Sequence, residues 1–278
     1  MSNGLAIERQ GPIGLVTLNR PDRHNAFDDV LIAELTEALR SMEAEDGVRV
    51  VVLSGAGKSF SAGADLHWMK RMAGFSKEEN QRDAMGLGAL MRTLAHLRKP
   101  TIARVHGAAY GGGVGLVACC DIAVASQAAT FSLSEVRLGL VPAVISPYVV
   151  SAIGERAARR YFLTGERFDA GEAWRIGLVH EIAPDDDELD GKVGDIVDAL
   201  LQGGPVAQRE GKELIRAVAA RPVTSELIQD TAERIARIRC SPEGREGVDA
   251  FLGKRRAAWL PPEPAPEEDA NAEPPPGA

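Results

Sequence analysis

Two glycine-rich turns hold the residues best suited to chemistry. The first lies in VVLSGAGKSFSAGAD, Val51 to Asp65, where Gly57-Lys58-Ser59 spells the end of a phosphate-binding loop. Such a loop needs a glycine at position 52, so that successive N–H groups can curl around phosphates. That position is Val52, in an apolar run that reads as a strand. The next turn, Ala62-Gly63-Ala64, follows too soon for a helix to open at Ser59. The second cluster, HGAAYGGGVGLVACCDIAVAS (His106–Ser126), matches a dinucleotide fingerprint at Gly113, Gly115 and Ala118. That device needs its glycines directly after a strand, and an acid at the end of the following strand. Here His106 to Tyr110 separate the glycines from the strand Thr101–Val105. Glu135, the acid at about the right distance, sits in a segment that does not read as a strand end. Both nucleotide readings fail on context.

Each cluster instead makes a short turn that leads into a helix and offers a backbone N–H free of bulky neighbours. Two such N–H groups converging on one oxygen would form an oxyanion hole, which stabilises charge developing on a carbonyl. Ala62 and Ala64 would let a long ligand lie close against the main chain. The same glycines would equally serve tight turns and close helix packing, and spacing alone does not choose. No serine stands in a Gly-x-Ser-x-Gly elbow, so a Ser-His-Asp triad has no support. Asp121 reads as a brace at a strand start, Lys58 as a surface residue, and Glu155 and Glu166 as surface acids. His96 and His106 read as packing or strand-end residues, and Trp68 and Met69 as pocket lining or core.

The elements that must position these turns follow from periodicity. Ile13–Leu18 and Val48–Leu53 read as strands, the second nearly all apolar, as expected when both faces are buried. Between them, from Asp28, the residues Val30, Leu31, Leu35, Ala38, Leu39 and Met42 recur at helical spacing. Ser76 and Glu79 form a capping box for a helix to about Leu97. Strands Thr101–Val105 and Asp121–Ala125 follow. This alternation predicts an α/β core with largely parallel strands. After Leu178-Val179 the pattern is helical: 193–201, 207–219, 225–239 and 243–259, with Pro205, Pro222 and Pro242 near the starts of the last three. The expected organisation is a core over 1–195, a helical region over 196–260, and a disordered, acidic, proline-rich tail over 261–278.

Composition bounds the function. The 278 residues are 45% hydrophobic, enough for a full core. Neither a long apolar run nor a charged-then-apolar leader is present, which argues against a membrane span or a standard secretory signal. Three cysteines, two of them adjacent, make neither a disulfide framework nor a zinc set, and a reducing cytoplasm is the expected location. The formal charge is −8, of which the tail supplies five acids and no base. The folded part is thus only mildly acidic and has no basic stripe for nucleic acid.

FSAGADL (Phe60–Leu66), HGAAYGGGVGLVACCDIAVAS and FSLSEVRLGLVPA (Phe131–Ala143) together resemble the enoyl-CoA hydratase/isomerase (crotonase) family. VTLNRPDRHNAF (Val16–Phe27) and REGVDAFLGKRRA (Arg245–Ala257) fit the same family, so the resemblance runs from about residue 5 to residue 259. It implies an α/β crotonase-like spiral of β-β-α units with a C-terminal helical trimerisation region, in trimers or dimers of trimers. It also implies acyl-coenzyme A thioesters as substrates, with no metal or redox cofactor.

Carried over residue by residue, the resemblance makes the N–H groups of Ala64 and Gly112 the oxyanion donors and Glu135 the acid–base residue. Ala62 to Leu66, Asp65 included, would hold the adenine and pantetheine end, helped by Arg23, His24 and Ala26, and His67 would contact substrate. Phe251 and Lys254 correspond to positions that complete the nucleotide site of a neighbouring subunit. Hydratases of the family use two glutamates. The earlier one falls here on Gly115, and PAVISPYVV (Pro142–Val150) replaces a glycine-rich pocket segment. One carboxylate suffices for a double-bond isomerase. It serves a hydratase if a second polar group holds the water, and Tyr148 is the candidate for that group. A protein that binds coenzyme A esters without turnover is a further reading. FSAGADLHWMKRMA (Phe60–Ala73) and the segment Ser132–Glu166 resemble the subgroup that hydrates branched or carboxylated enoyl-CoA esters such as 3-methylglutaconyl-CoA, in leucine and isoprenoid breakdown. A distal substrate carboxylate would call for a cation, with Lys70, Arg71 and Arg137 as candidates.

Overall fold

The computed structural model describes residues 4–260, so the tail expected over 261–278 lies outside the described residues. Strands sort into two sheets. β1 (Leu5–Gln10), β2 (Ile13–Leu18), β3 (Val50–Gly55), β5 (Thr101–Val105), β7 (Ile122–Ser126) and β10 (Glu181–Ala183) form the larger sheet in that order. β4 (Ser59–Ser61), β6 (Ala108–Tyr110), β8 (Thr130–Ser132) and β9 (Arg167–Asp169) form the smaller one. Every pairing is parallel except β1 with β2 and β8 with β9.

Helices α1 (Asp29–Ala44), α2 (Leu66–Met72), α3 (Lys77–Ala95), α4 (Gly112–Cys119), α5 (Ser146–Thr164) and α6 (Ala170–Arg175) interleave with these strands. Each of β3, β5 and β7 is followed by a short strand of the second sheet and then by helix. This is the β-β-α repeat that the resemblance implies. α7 (Asp186–Gln202), α8 (Pro205–Val218), α9 (Ser225–Arg239) and α10 (Pro242–Leu252) follow.

The all-apolar β3 is explained by its two covered faces. Val51 and Leu53 join the main core beneath α1, α3, α4 and α5. Val50 and Val52, with Ile102 and Val124, meet Leu189, Val193, Val197 and Leu201 of α7 on the other face. Alternate strand residues point to opposite faces, so both must be apolar. The caps read from sequence form: Asp28 accepts from the Leu31 N–H, and Ser76 and Glu79 close a reciprocal box.

Three expectations need correction. The boundary placed at 195 falls inside α7, which belongs to the core at both of its ends, so the helical appendage begins after Gln202. That helix starts at Asp186 because Asp185 caps a polar first turn of three acids, which carries no apolar rhythm. α10 stops at Leu252, short of Trp259.

The appendage docks on the N-terminal ends of the strands. Arg49, just before β3, donates to the carbonyls of Leu201 (3.2 Å), Trp259 (2.9 Å) and Gly203. Lys212 of α8 reaches Asp121 ahead of β7 (2.6 Å) and the Lys99 carbonyl ahead of β5 (2.9 Å). Asp121 also accepts from the N–H and hydroxyl of Thr101, each at 2.8 Å, which is the bracing role expected for it. The C-terminal ends of the same strands are left for the glycine turns.

Candidate active site

Two segments forty residues apart in sequence run side by side at that end. The Ala62 N–H donates to the His24 carbonyl (2.9 Å), Phe27 N–H to Gly63 (2.7 Å), and Asp65 N–H to Phe27 (2.7 Å). Phe27 and Ala64 thus form an isolated parallel bridge. Among the hydrogen bonds of the described residues, none uses the N–H of Ala64 or of Gly112. Both donors remain available.

The two glycine turns touch. A Cβ on Gly63 would lie 3.1 Å from the Tyr110 carbonyl oxygen, and one on Gly111 would lie 4.0 Å from the Gly63 Cα. Gly111 has φ +50, a left-handed conformation that favours glycine. Its side-chain direction is taken by Glu135, whose Oε1 lies 3.1 Å from that Cβ position. Gly113 is needed because α4 presses on β4: a Cβ there would stand 2.7 Å from the Ser61 carbonyl oxygen. The aromatic edge of Phe27 similarly covers Gly112 at 2.6 Å. Ala64, Gly112 and Glu135 are therefore brought together, at the positive end of α4.

Glu135 lies in the 3-10 turn Ser134–Leu138. Its Oε2 is buried and has no hydrogen-bond partner. Burial pushes its carboxyl above the ordinary carboxylate range, and a hydrogen bond from its own N–H only partly opposes this. A partly desolvated carboxyl with one unpartnered oxygen, beside two open N–H groups, can accept or deliver a proton at a carbon next to a bound thioester.

The remaining candidates divide. Arg23 and Asp65 pair at 3.3 Å, and Arg20 joins Asp65 to Asp28. Asp65 Oδ1 also caps α2 through the N–H groups of His67 (2.8 Å) and Trp68 (3.2 Å). Burial would raise the Asp65 carboxyl, but these N–H groups and the Arg23 guanidinium outweigh it and hold it below its ordinary value. Asp65 is thus committed to shaping the turn that leads into α2. His24, at φ 51, holds the Ser59 hydroxyl at 3.0 Å, and Ala26 is buried beside it. Leu66 and His67 are exposed on the rim.

Phe251 lies in the last turn of α10 and Lys254 just beyond its Gly253 cap, in the appendage docked at the far end of the strands from these turns, so within one chain they do not reach the site. Tyr148, in the first turn of α5, is half-buried against the main core, and burial pushes its hydroxyl above the ordinary tyrosine value. All three proposed cations are exposed; Arg71 is paired with Asp29, while Lys70 and Arg137, the latter passing over Gly165, are in none of the ion pairs among the described residues.

Sequence reading passed over Asn25 and Ile145. Asn25 is fully buried; it donates to the carbonyls of Ala56 (2.9 Å) and Ser59 (2.7 Å) and accepts from the Arg20 N–H (2.8 Å). A polar residue between His24 and Ala26 gives no periodic signal of that role. Ile145 covers Gly115, a contact visible only once α4 and α5 are packed.

The profile of the enoyl-CoA hydratase/isomerase family matches residues 8–261. A short-chain-enoyl-CoA hydratase of Clostridium acetobutylicum is 31% identical over 256 residues, covering 91% of this chain and 96% of that protein. The crystal structure of an enoyl-CoA hydratase from Shewanella pealeana superposes with a TM-score of 0.90 at 45% identity, covering 92% of this chain and 96% of the other. An enoyl-CoA hydratase/isomerase from Marinobacter aquaeolei gives 0.87 at 35% identity, over 93% and 99% of the two chains. With the glycine turns, the free N–H pair and Glu135 assembled at one end of a β-β-α spiral, this chain belongs to the enoyl-CoA hydratase/isomerase family of enzymes.

Proposed function

We propose that the chain is an enoyl-CoA hydratase that works with one carboxylate. The carrying observation is the Glu135 carboxyl, unpaired at Oε2 and set beside the Gly63 and Gly111 turns. The Ala64 and Gly112 N–H groups hold the thioester oxygen. Glu135 takes a proton from water as its oxygen bonds to the β-carbon, and the double-bond electrons pass into the enolate. The same carboxyl then returns that proton to the α-carbon, giving the 3-hydroxyacyl thioester. The names of the relatives support this reading. Arg23, His24 and the Ala62–Leu66 loop are the proposed contacts for the coenzyme.

A second reading, a Δ3–Δ2 double-bond isomerase, is favoured by Gly115, which carries no acid and faces Ile145 and Met91. For the acyl chain, 3-methylglutaconyl-CoA is the proposed branched substrate, with Lys70 or Arg137 as the cation for its distal carboxylate. Trimers are the proposed assembly, because α8 buries no residue within the chain and Ile215, Ile228, Val248 and Phe251 are exposed on the appendage. Phe251 and Lys254 would then serve a neighbouring copy.

The test is loss of enoyl absorbance with crotonyl-CoA and with 3-methylglutaconyl-CoA, with products weighed by mass spectrometry. Gain of one water supports hydration, and its loss in Glu135→Gln assigns the residue. Turnover of 3-enoyl-CoA without added water replaces the hydratase by the isomerase.

A further inference from the structure

Phe27 takes part in both donor turns at once. Its backbone belongs to the first: the Phe27 N–H donates to the Gly63 carbonyl, and the Asp65 N–H donates to the Phe27 carbonyl, each at 2.7 Å. These two bonds bracket Ala64. The residues before Phe27 are laced to the same turn, since the Ala62 N–H donates to the His24 carbonyl and the Ser61 hydroxyl to the Asn25 carbonyl, both at 2.9 Å. The side chain belongs to the second turn. A Cβ on Gly112 would lie 2.6 Å from Phe27 Cε2 and 2.9 Å from Cδ2, so the ring edge stands where residue 112 would carry a side chain. Phe27 is 2% exposed and part of the main core, and a ring packed on all sides is a stiff spacer. The other close approaches between the turns, Gly63 to the Tyr110 carbonyl and Gly113 to the Ser61 carbonyl, fall first on main-chain atoms.

We propose that Phe27 is a positioning residue for the reaction: its backbone holds the turn that carries the Ala64 N–H, its ring edge rests on Gly112, and its length sets the separation of the two donors. The inference rests on the reading of those N–H groups as the ones that hold the thioester oxygen. Such donors act only within about 2.7–3.1 Å of the developing oxyanion, so a displacement of a few tenths of an ångström matters. Phe27 exchanges no proton with the substrate and acts entirely through the donors.

The experiment compares the parent with Phe27→Leu, Phe27→Met, Gly112→Ala and Leu39→Ala. Each is assayed for kcat and KM on the better of 2-enoyl and 3-enoyl-CoA, and for thermal unfolding. The second readout is the infrared stretch of the thioester carbonyl of 2-enoyl-CoA bound in a Glu135→Gln background, which reports the hydrogen bonds to that oxygen whether or not turnover occurs. Phe27→Leu keeps the backbone bonds and shortens the reach towards Gly112. Its kcat should fall about tenfold or more, and the bound carbonyl should shift back toward its frequency in solution. KM should change by about twofold at most. Phe27→Met, unbranched and long enough to reach Gly112, should recover part of both effects. Gly112→Ala presses on the same ring edge; it should lower kcat in the parent and add less than that loss in the Phe27→Leu background. Leu39→Ala opens a cavity in the same core from the second half of α1, and should lower Tm at least as much while leaving kcat and the carbonyl frequency unchanged. An active parent whose Phe27→Leu variant keeps its kcat and carbonyl frequency, or loses no more of either than Leu39→Ala does, overturns the role of Phe27 alone. A parent inactive on both thioesters overturns the catalytic reading; the carbonyl then decides the inference by itself, which stands if the stretch moves in Phe27→Leu and falls if it does not.

Discussion

Replacing Gly113 by alanine tests whether the oxyanion hole depends on α4 lying directly on β4. The new Cβ would stand 2.7 Å from the Ser61 carbonyl oxygen, where ordinary contact begins at 3.4 Å, a deficit of about 0.7 Å. Ser61 cannot yield, since its hydroxyl donates to the Asn25 carbonyl at 2.9 Å and Asn25 is anchored to Ala56 and Ser59. The helix must move instead, and it carries the Gly112 N–H with it. Donors act within about 2.7–3.1 Å of the developing oxyanion, so such a shift removes one of them and costs roughly 10²–10³ in kcat, about 2.7–4 kcal/mol.

Overpacking adds about 1–3 kcal/mol of lost stability, several degrees in Tm for a domain of this size. The assay is kcat and KM on the best enoyl thioester alongside thermal unfolding. kcat should fall while KM, set by the coenzyme contacts, changes by only about a few-fold. Gly86→Ala is the control: it sits within α3 with nothing inside 4 Å of its Cβ, and should leave both kcat and KM unchanged. Gly113→Ala with parental kcat and Tm would refute the argument.

Glu135→Gln should cost about 10²-fold or more in kcat/KM while raising Tm. Because burial raises the Glu135 carboxyl in the fold, its stabilising form is the protonated one. The parent loses that contribution as pH rises from the ordinary carboxylate range through the folded value, so the Tm advantage of Gln should be larger at pH 8 than at pH 4. Asp65→Ala removes the α2 cap and the partner of Arg23; an expected stability loss of about 1–2 kcal/mol in denaturant titration should accompany a higher KM. Arg49→Ala unties the appendage from the sheet. Faster proteolysis after Gln202, with the core still folded by circular dichroism, is the expected outcome.

Local chemistry made much of this protein readable from its sequence. The apolar run into Leu53 required a strand covered on both faces, and Ser76 with Glu79 required a helix start, because such signals act within a few residues. The ordered motifs placed Ala64, Gly112 and Glu135 in one site, and the tertiary contacts bring them together. The three-residue strands of the second sheet escaped notice since they are too short for any alternation to show. Packing decided the rest. Gly115 read as a missing side chain, yet only the contact between α4 and α5 reveals that Ile145 fills the space. Tyr148, offered as a water ligand, is a residue of α5 that packs partly buried against the main core. Asp65, which read as a coenzyme contact, caps α2 locally through the N–H groups of His67 and Trp68, while its pairing with Arg23, 42 residues earlier, shows only in the fold. Residue type declares what a group can do; which neighbour it does it with is settled where distant segments meet.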